Sequence, residues 1–186
     1  MDLLLSKGLP VSRDQLMQVR GLIDGVYSAL PTADCVILTL GMTEVWRDNE
    51  TGLYLNRIPN PREMRRSARR YSFVNFTPDG CYQQMAQAIQ RLRAGGVTKV
   101  LVTVSPVPLG AAFGLRDGVI SDSYSKATLR VVANMLTRDL DFVDYFPSFE
   151  IVQSGGLESY LPDHIHVKPA VVKRIMRHLV ANYVVN

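Results

Sequence analysis

The clearest chemical pattern in the sequence is a carboxylate and an imidazole in one short loop. Asp163 and His166 lie three residues apart in the run Leu161-Pro-Asp-His-Ile-His-Val167, shortly before Pro169, a residue that suits the first turn of a helix. This spacing lets the carboxylate orient the ring, so that the ring can take a proton from a nucleophile. We therefore expect Asp163 and His166 to form the acid and the base of a catalytic site.

A metal site is the alternative interpretation of the same loop. On a strand, His164 and His166 would share a face, and Asp163 could supply a third ligand. No further Glu or His completes an obvious ligand set in the sequence. We therefore predict no metal and no other cofactor.

Polar residues also follow three segments that we predict to be strands. Gly41, Thr43 and Glu44 follow the first segment, residues 34–40. Ser105 follows the second segment, residues 99–104, and Glu150 follows the third, residues 141–146. A glycine lets backbone amides approach a ligand closely, and the polar side chains could bind substrate or an oxyanion. The alternatives are structural, with Thr43 capping a helix and Glu150 packing a loop.

Ser105 also raises the question of the nucleophile. It lies in the run Thr103-Val-Ser-Pro-Val-Pro-Leu109 and lacks the Gly-x-Ser-x-Gly turn that exposes a nucleophilic serine. Pro106 and Pro108 carry no backbone N–H, so they cannot contribute to an oxyanion hole. We therefore place Ser105 among the candidates for binding rather than for attack.

The elements that position these residues alternate between strand and helix. We predict strands over residues 34–40, 99–104 and 141–146, and helices over residues 12–29, 82–94, 125–138 and 169–184. The first two strands are nearly continuous apolar runs, which is typical of parallel strands covered on both faces. This order predicts one α/β domain over residues 1–186, with its chemistry beyond the carboxyl ends of the strands. Residues 47–80 lack clear periodicity and are predicted to form a long loop or lid.

Composition limits the class of protein. The chain has 186 residues, is 47% hydrophobic and carries a net charge of +4, as expected of one globular domain with a real core. The excess of positive charge lies largely in arginines between residues 57 and 70, which could meet phosphate or an acidic glycan or form a solvated loop. No nucleic-acid motif accompanies them, so we expect no nucleic-acid partner.

The cysteines and the apolar segments indicate the compartment. Cys35 and Cys81 form neither a disulfide framework nor a metal-ligand spacing, and we expect Cys35 to be a buried hydrophobe. No stretch approaches the ~20 apolar residues that span a bilayer, and the N-terminus does not have the pattern of a signal peptide. We therefore expect a cytoplasmic protein with no membrane partner.

Several runs together resemble the GSCFA family, a branch of the SGNH/GDSL-like hydrolase superfamily. The matching runs are Thr39-Leu-Gly-Met-Thr-Glu-Val-Trp46, Thr103-Val-Ser-Pro-Val-Pro-Leu109, Tyr124-Ser-Lys-Ala-Thr-Leu-Arg130, Asp144-Tyr-Phe-Pro-Ser-Phe-Glu150 and Asp163-His-Ile-His166. The resemblance extends over nearly everything from Ala33 to Tyr183. It implies a flavodoxin-like (SGNH-type) α/β fold, with a parallel sheet flanked by helices, and an ester hydrolase or acyltransferase. Its substrate would be the O-acyl groups of a glycan or a related metabolite.

The resemblance also implies roles for individual residues. His166 matches the superfamily's general base, and Asp163 matches its orienting acid. Gly41, Thr43 and Glu44 fall where many relatives have Gly-x-Asn-Asp, whose Asn helps to form the oxyanion hole. Thr43 occupies the position of this Asn, and its hydroxyl would donate a hydrogen bond to the oxyanion from a shorter side chain.

The sequence departs from the family pattern near its N-terminus. It contains no Gly-Ser-Cys-Phe-Ala run, which supplies the family's serine, and its first clear strand corresponds to the family's third. We therefore expect an N-terminally truncated fold without the first two strands and without the nucleophile. Residues 35–40 would then form an exposed sheet edge that invites pairing with another chain, such as a second copy. The alternative function is a non-catalytic domain that binds a glycan or a partner.

Overall fold

The computed structural model describes residues 12–67, 69–114 and 117–184. Two short 3₁₀ turns accompany its helices and strands. In chain order, the helices and strands are α1 Arg13–Ser28, β1 Val36–Leu40, β2 Glu44–Asp48, β3 Tyr54–Leu55, α2 Pro61–Arg66, β4 Tyr71–Asn75, α3 Pro78–Ala94, β5 Val100–Val104, α4 Gly118–Asp139, β6 Val143–Tyr145, α5 Ser148–Gln153 and α6 Pro169–Tyr183.

A parallel sheet of three strands lies at the centre of the fold. β5 runs between β1 and β6, with Val100 in register with both Val36 and Val143. Every residue of β5 is buried, as the continuous apolar run predicts. The predicted α/β class, with a parallel sheet and flanking helices, is confirmed. The third strand is shorter than predicted, at residues 143–145.

Helices α3 and α4 cover one face of this sheet. Ile89 of α3 and Val132 and Leu136 of α4 form a single core cluster with the valines of β5. The helical spacing of these residues predicts this packing correctly. α4 begins at Gly118, earlier than the predicted residue 125, and the side chain of Asp117 caps it by accepting the Val119 N–H at 2.8 Å.

Within the part of the chain that the structure describes, β1 is covered on one face only. Val36 and Leu40 are buried in the core, whereas Ile37 and Thr39 are exposed on the opposite face. The prediction that both faces are covered is therefore wrong for β1. Cys35 is exposed rather than buried. It lies two residues before Ile37 and therefore projects from the same exposed face. Among the described residues, β5 is the one strand that pairs with β1.

The first and last helices bury none of their residues. Ile175 and Leu179 of α6 are half-buried. The large apolar side chains that are exposed are Met17, Leu22, Val26 and Tyr27 on α1 and Val172, Met176, Val180 and Tyr183 on α6. None of the described helices has the length and apolar character needed to cross a membrane.

Residues 47–80 contain regular elements rather than the predicted long loop or lid. β2 pairs antiparallel with β3 on one side and with β4 on the other. Ion pairs support this second sheet: Arg70 donates to Asp48 at 2.8 Å, and Arg57 binds Glu63 at 2.9 Å. The strands have two to five residues each, which is too short for a clear hydrophobic period in the sequence.

Two neighbouring valines of α4 test the packing of the core. Val132 is 0% exposed and Val131 is 51% exposed on the same helix. We expect Val132→Ala to lower the free energy of unfolding by about 2 kcal/mol, because it removes buried methyl groups and leaves a cavity. Val131→Ala should change it by less than about 0.5 kcal/mol. Urea unfolding measures both values, and equal losses would contradict the assigned packing.

Candidate active site

The predicted acid–base pair is formed in the structure. His166 Nδ1 lies 2.6 Å from Asp163 Oδ2. The other carboxylate oxygen, Oδ1, accepts the backbone N–H groups of Ile165 at 2.9 Å and of His166 at 3.0 Å. The carboxylate is therefore held on both oxygens, and the ring presents Nε2 away from it. The His166 side chain is well exposed, so Nε2 is open to a substrate.

A tight turn produces this arrangement. His164 has a φ of 56°, in the left-handed region, which is uncommon for residues other than glycine but is enriched in Asn, Asp and His. Its N–H donates to Leu161 O at 2.9 Å, and the Leu161 N–H donates to His166 O at 2.8 Å. The metal alternative needs both histidines on one strand, and the turn at His164 removes that geometry. Among the described residues, no three His, Cys, Asp or Glu side chains are grouped to hold a metal ion.

The carboxylate of Asp163 stays charged over a wide pH range. The backbone N–H groups of His166 and Ile165, followed by the His166 ring, lower the pKa of Asp163 to about 2. A charged carboxylate favours the Nδ1–H tautomer of the ring and stabilises the imidazolium form. The loop therefore contains the electrostatic partner that a general base needs.

A tyrosine attaches this loop to the end of β5. The Tyr160 hydroxyl donates to Pro106 O at 2.9 Å, and burial raises the pKa of Tyr160, which keeps the donated proton in place. Pro106 directly follows Ser105, whose N–H donates to Leu40 O at 2.8 Å. Ser105 Oγ accepts the Val107 N–H at 3.3 Å. The His166 loop and Ser105 therefore lie at the same edge of the parallel sheet, as predicted.

Thr43 is buried and its hydroxyl is engaged within the protein. Its Oγ1 donates to Asn75 Oδ1 at 2.6 Å and lies 2.8 Å from Ser125 Oγ. Its backbone N–H donates to the same Ser125 Oγ at 3.1 Å. Since the Thr43 hydroxyl donates its hydrogen bond to Asn75 Oδ1, the Ser125 hydroxyl donates its hydrogen bond to Thr43 Oγ1. The alternative in which Thr43 caps a helix is wrong, because Glu44 begins a strand.

A buried lysine holds the neighbouring glycine. Lys126 Nζ donates to Gly41 O at 2.9 Å, and burial lowers the pKa of Lys126. A Cβ at Gly41 would meet no atom within 4 Å, so neighbouring atoms do not require glycine there. Lys126 and Ser125 are consecutive residues of α4, and together they fix the chain that leaves β1.

Asn75, Ser125 and Lys126 were not among the predicted site residues. The signal that could have found the last two is the buried polar character of α4. Four polar residues of this helix are buried among its apolar ones: Ser121, Ser125, Lys126 and Thr128. Buried polar groups need partners, so such a helix indicates a polar contact with another element.

The two glutamates have different surroundings. Glu44 is 5% exposed, and its Oε2 accepts the Phe113 N–H at 2.9 Å. Glu44 Oε1 has no hydrogen-bond partner among the described residues. Glu150 binds Arg130 Nε at 2.7 Å and accepts the Tyr145 hydroxyl at 2.7 Å. Glu150 lies on α5 rather than in a loop, and it joins α5 to α4 and β6.

These elements define a mixed α/β protein with polar loops at the carboxyl edge of a parallel sheet. The chain belongs to the GSCFA family, whose family model matches residues 10–179. This confirms the resemblance seen in the runs that follow the strands. Neither the comparison with curated proteins nor the comparison with solved structures finds a match.

The low pKa of Asp163 can be measured directly. We expect carboxyl NMR signals to give a midpoint of about 2 and the order of the loop to be lost only as the pH falls through that value. In His166→Ala the pKa should stay below the usual aspartate range, because backbone N–H groups are its main cause. A wild-type midpoint in the usual range would contradict the described loop.

Proposed function

We propose that the chain carries the acid–base part of an SGNH-type ester hydrolase or acyltransferase on a flavodoxin-like fold. The substrate would be an O-acyl group on a glycan or a related metabolite. The observation that carries the proposal is the 2.6 Å contact between His166 Nδ1 and Asp163 Oδ2, in a loop docked at the end of β5. Membership of the GSCFA family supports the class of reaction.

In this mechanism, His166 moves the proton. Its Nε2 takes a proton from the attacking hydroxyl as that hydroxyl adds to the acyl carbonyl. The charge of Asp163 stabilises the imidazolium that results, and His166 then returns the proton to the oxygen of the leaving group. Because Asp163 Oδ1 accepts two backbone N–H groups, Oδ2 stays aligned with the ring through both steps.

Asn75 is the oxyanion donor that we propose in place of Thr43. Its Oδ1 accepts the Thr43 proton at 2.6 Å, so the amide group Nδ2 points away from Thr43. Asn75 is exposed at the end of β4, opposite Glu44 in the register of the second sheet. An amide N–H that neighbouring groups have already oriented is well suited to stabilise a developing oxyanion.

A covalent probe tests this proposal. We expect a fluorophosphonate to label one serine, identified by peptide mass spectrometry as Ser105 or as a serine of a version extended upstream in the gene. His166→Gln should slow labelling about 100-fold or more, the typical contribution of a general base. His164→Asn is the matched control: it changes a histidine of the same loop, and Asn tolerates the positive φ there. Its labelling rate should equal that of the wild type.

The proposal fails if neither the chain nor the extended version is labelled. Hydrolysis of p-nitrophenyl acetate gives a second measurement, and a rate that does not change in His166→Gln also counts against catalysis. Folding of each variant is checked by circular dichroism. Glycan binding without labelling or hydrolysis would support the non-catalytic alternative.

A further inference from the structure

The arginines between residues 57 and 70 fall into two groups. Arg57 binds both carboxylate oxygens of Glu63, at 2.9 and 3.0 Å, and Arg70 binds Asp48 at 2.8 Å and Glu50 at 3.3 Å. The charges of these two arginines are therefore neutralised within the protein. The other four are exposed, and none of them forms an ion pair with a carboxylate in the part of the chain that the structure describes. We name these four the basic surface: Arg62, Arg65, Arg66 and Arg69.

The backbone under the basic surface is held at both ends. At the start of α2, the Asn60 side chain accepts the Glu63 N–H at 2.9 Å, and the Glu63 side chain accepts the Asn60 N–H at 3.0 Å. Pro59, directly before this cap, is fully buried. After the helix, the Asn49 side chain donates to Arg69 O at 3.0 Å. The arginines therefore extend from a hydrogen-bonded backbone rather than from a solvated loop, so binding a ligand costs less conformational entropy.

The spacing of these arginines is unfavourable for the helix itself. Arg62 is three residues before Arg65 and four before Arg66, so the three side chains are neighbours on one side of α2. Like charges four residues apart destabilise a helix. The acidic residue within α2, Glu63, does not relieve this repulsion, because Arg57 already binds both of its oxygens. A bound anion that carries several charges would relieve it.

The chemistry of the basic surface selects the ligand. A guanidinium binds a carboxylate through two parallel N–H···O bonds, so four of them match a chain with repeated acidic groups. Single-stranded nucleic acids are usually held by aromatic side chains that stack on the bases, and residues 57–70 contain no aromatic residue. A membrane-surface helix needs a wide apolar face, whereas α2 has six residues and Met64 is its one large apolar side chain. An acidic polysaccharide meets these conditions and agrees with the substrate class proposed above.

We propose that the basic surface binds an acidic polysaccharide, whose carboxylate groups pair with its four arginines. The role of this binding rests on the proposed function, because the bound chain is then the glycan that carries the O-acyl group. The basic surface selects acidic glycans over neutral ones, since a neutral glycan has no charge to pair with a guanidinium. The binding itself requires neither His166 nor a nucleophilic serine.

Fluorescence anisotropy of labelled oligogalacturonate, a chain of uronic acids, measures this binding. We expect saturable binding by the full chain that weakens as salt is added, because salt screens exposed charges. The double variant Arg62→Gln with Arg66→Gln should bind about tenfold more weakly or worse, since it removes two charge-assisted contacts. The matched control is Arg91→Gln with Arg177→Gln, which replaces exposed arginines of α3 and α6 and lowers the net charge equally. Its binding should match that of the wild type.

Circular dichroism shows whether each variant is folded. The inference is overturned if oligogalacturonate binds no more tightly than a neutral cello-oligosaccharide, or if the two double variants bind equally well. It is also overturned if an oligonucleotide or phosphatidylserine vesicles bind more tightly at the same salt concentration, because the partner is then a different polyanion. Glycan binding without serine labelling would overturn the proposed function alone, and labelling without glycan binding would overturn this inference alone.

Discussion

Helix α4 is the element on which both the core and the candidate site depend. Val132 and Leu136 pack in the apolar cluster beneath the parallel sheet. On the same helix, Ser125 contacts Thr43 and Lys126 donates to Gly41 at 2.9 Å. The helix that packs in the apolar core therefore also fixes the chain where it leaves β1. A shift of α4 would disturb the site as much as the core, because folded interiors are close-packed.

The polar groups brought inside by this packing are satisfied through a chain of hydrogen bonds. The Thr43 N–H donates to Ser125, Ser125 donates to Thr43 Oγ1, and Thr43 donates to Asn75. The Thr43 and Ser125 hydroxyls each donate and accept, so neither loses the hydrogen bonds of water without a replacement. Three buried side-chain atoms have no hydrogen-bond partner among the described residues: Glu44 Oε1, Trp46 Nε1 and Arg57 Nε.

The site combines one local unit with one long-range unit. The loop that carries Asp163 and His166 is local, since the hydrogen bonds between Asp163 and residues 165 and 166 link residues two or three apart. The turn around Thr43 depends on Asn75 and Ser125, which lie 32 and 82 residues away. Tyr160 connects the loop to the exit of β5 at 2.9 Å. The base therefore keeps its orientation through local bonds, whereas its position relative to the sheet depends on the whole fold.

The sequence by itself determined the features that depend on periodicity or short spacing. The apolar runs of β1 and β5, the stripes of α3 and α4 and the pairing of Asp163 with His166 were all predictable, because each signal lies within a few residues. Only the tertiary structure decided that three strands between residues 44 and 75 form a second sheet, that Cys35 is exposed, and that Asn75 and Lys126 contact the turn after β1. These features depend on short strands and on contacts between distant residues, and such contacts leave no period in the sequence.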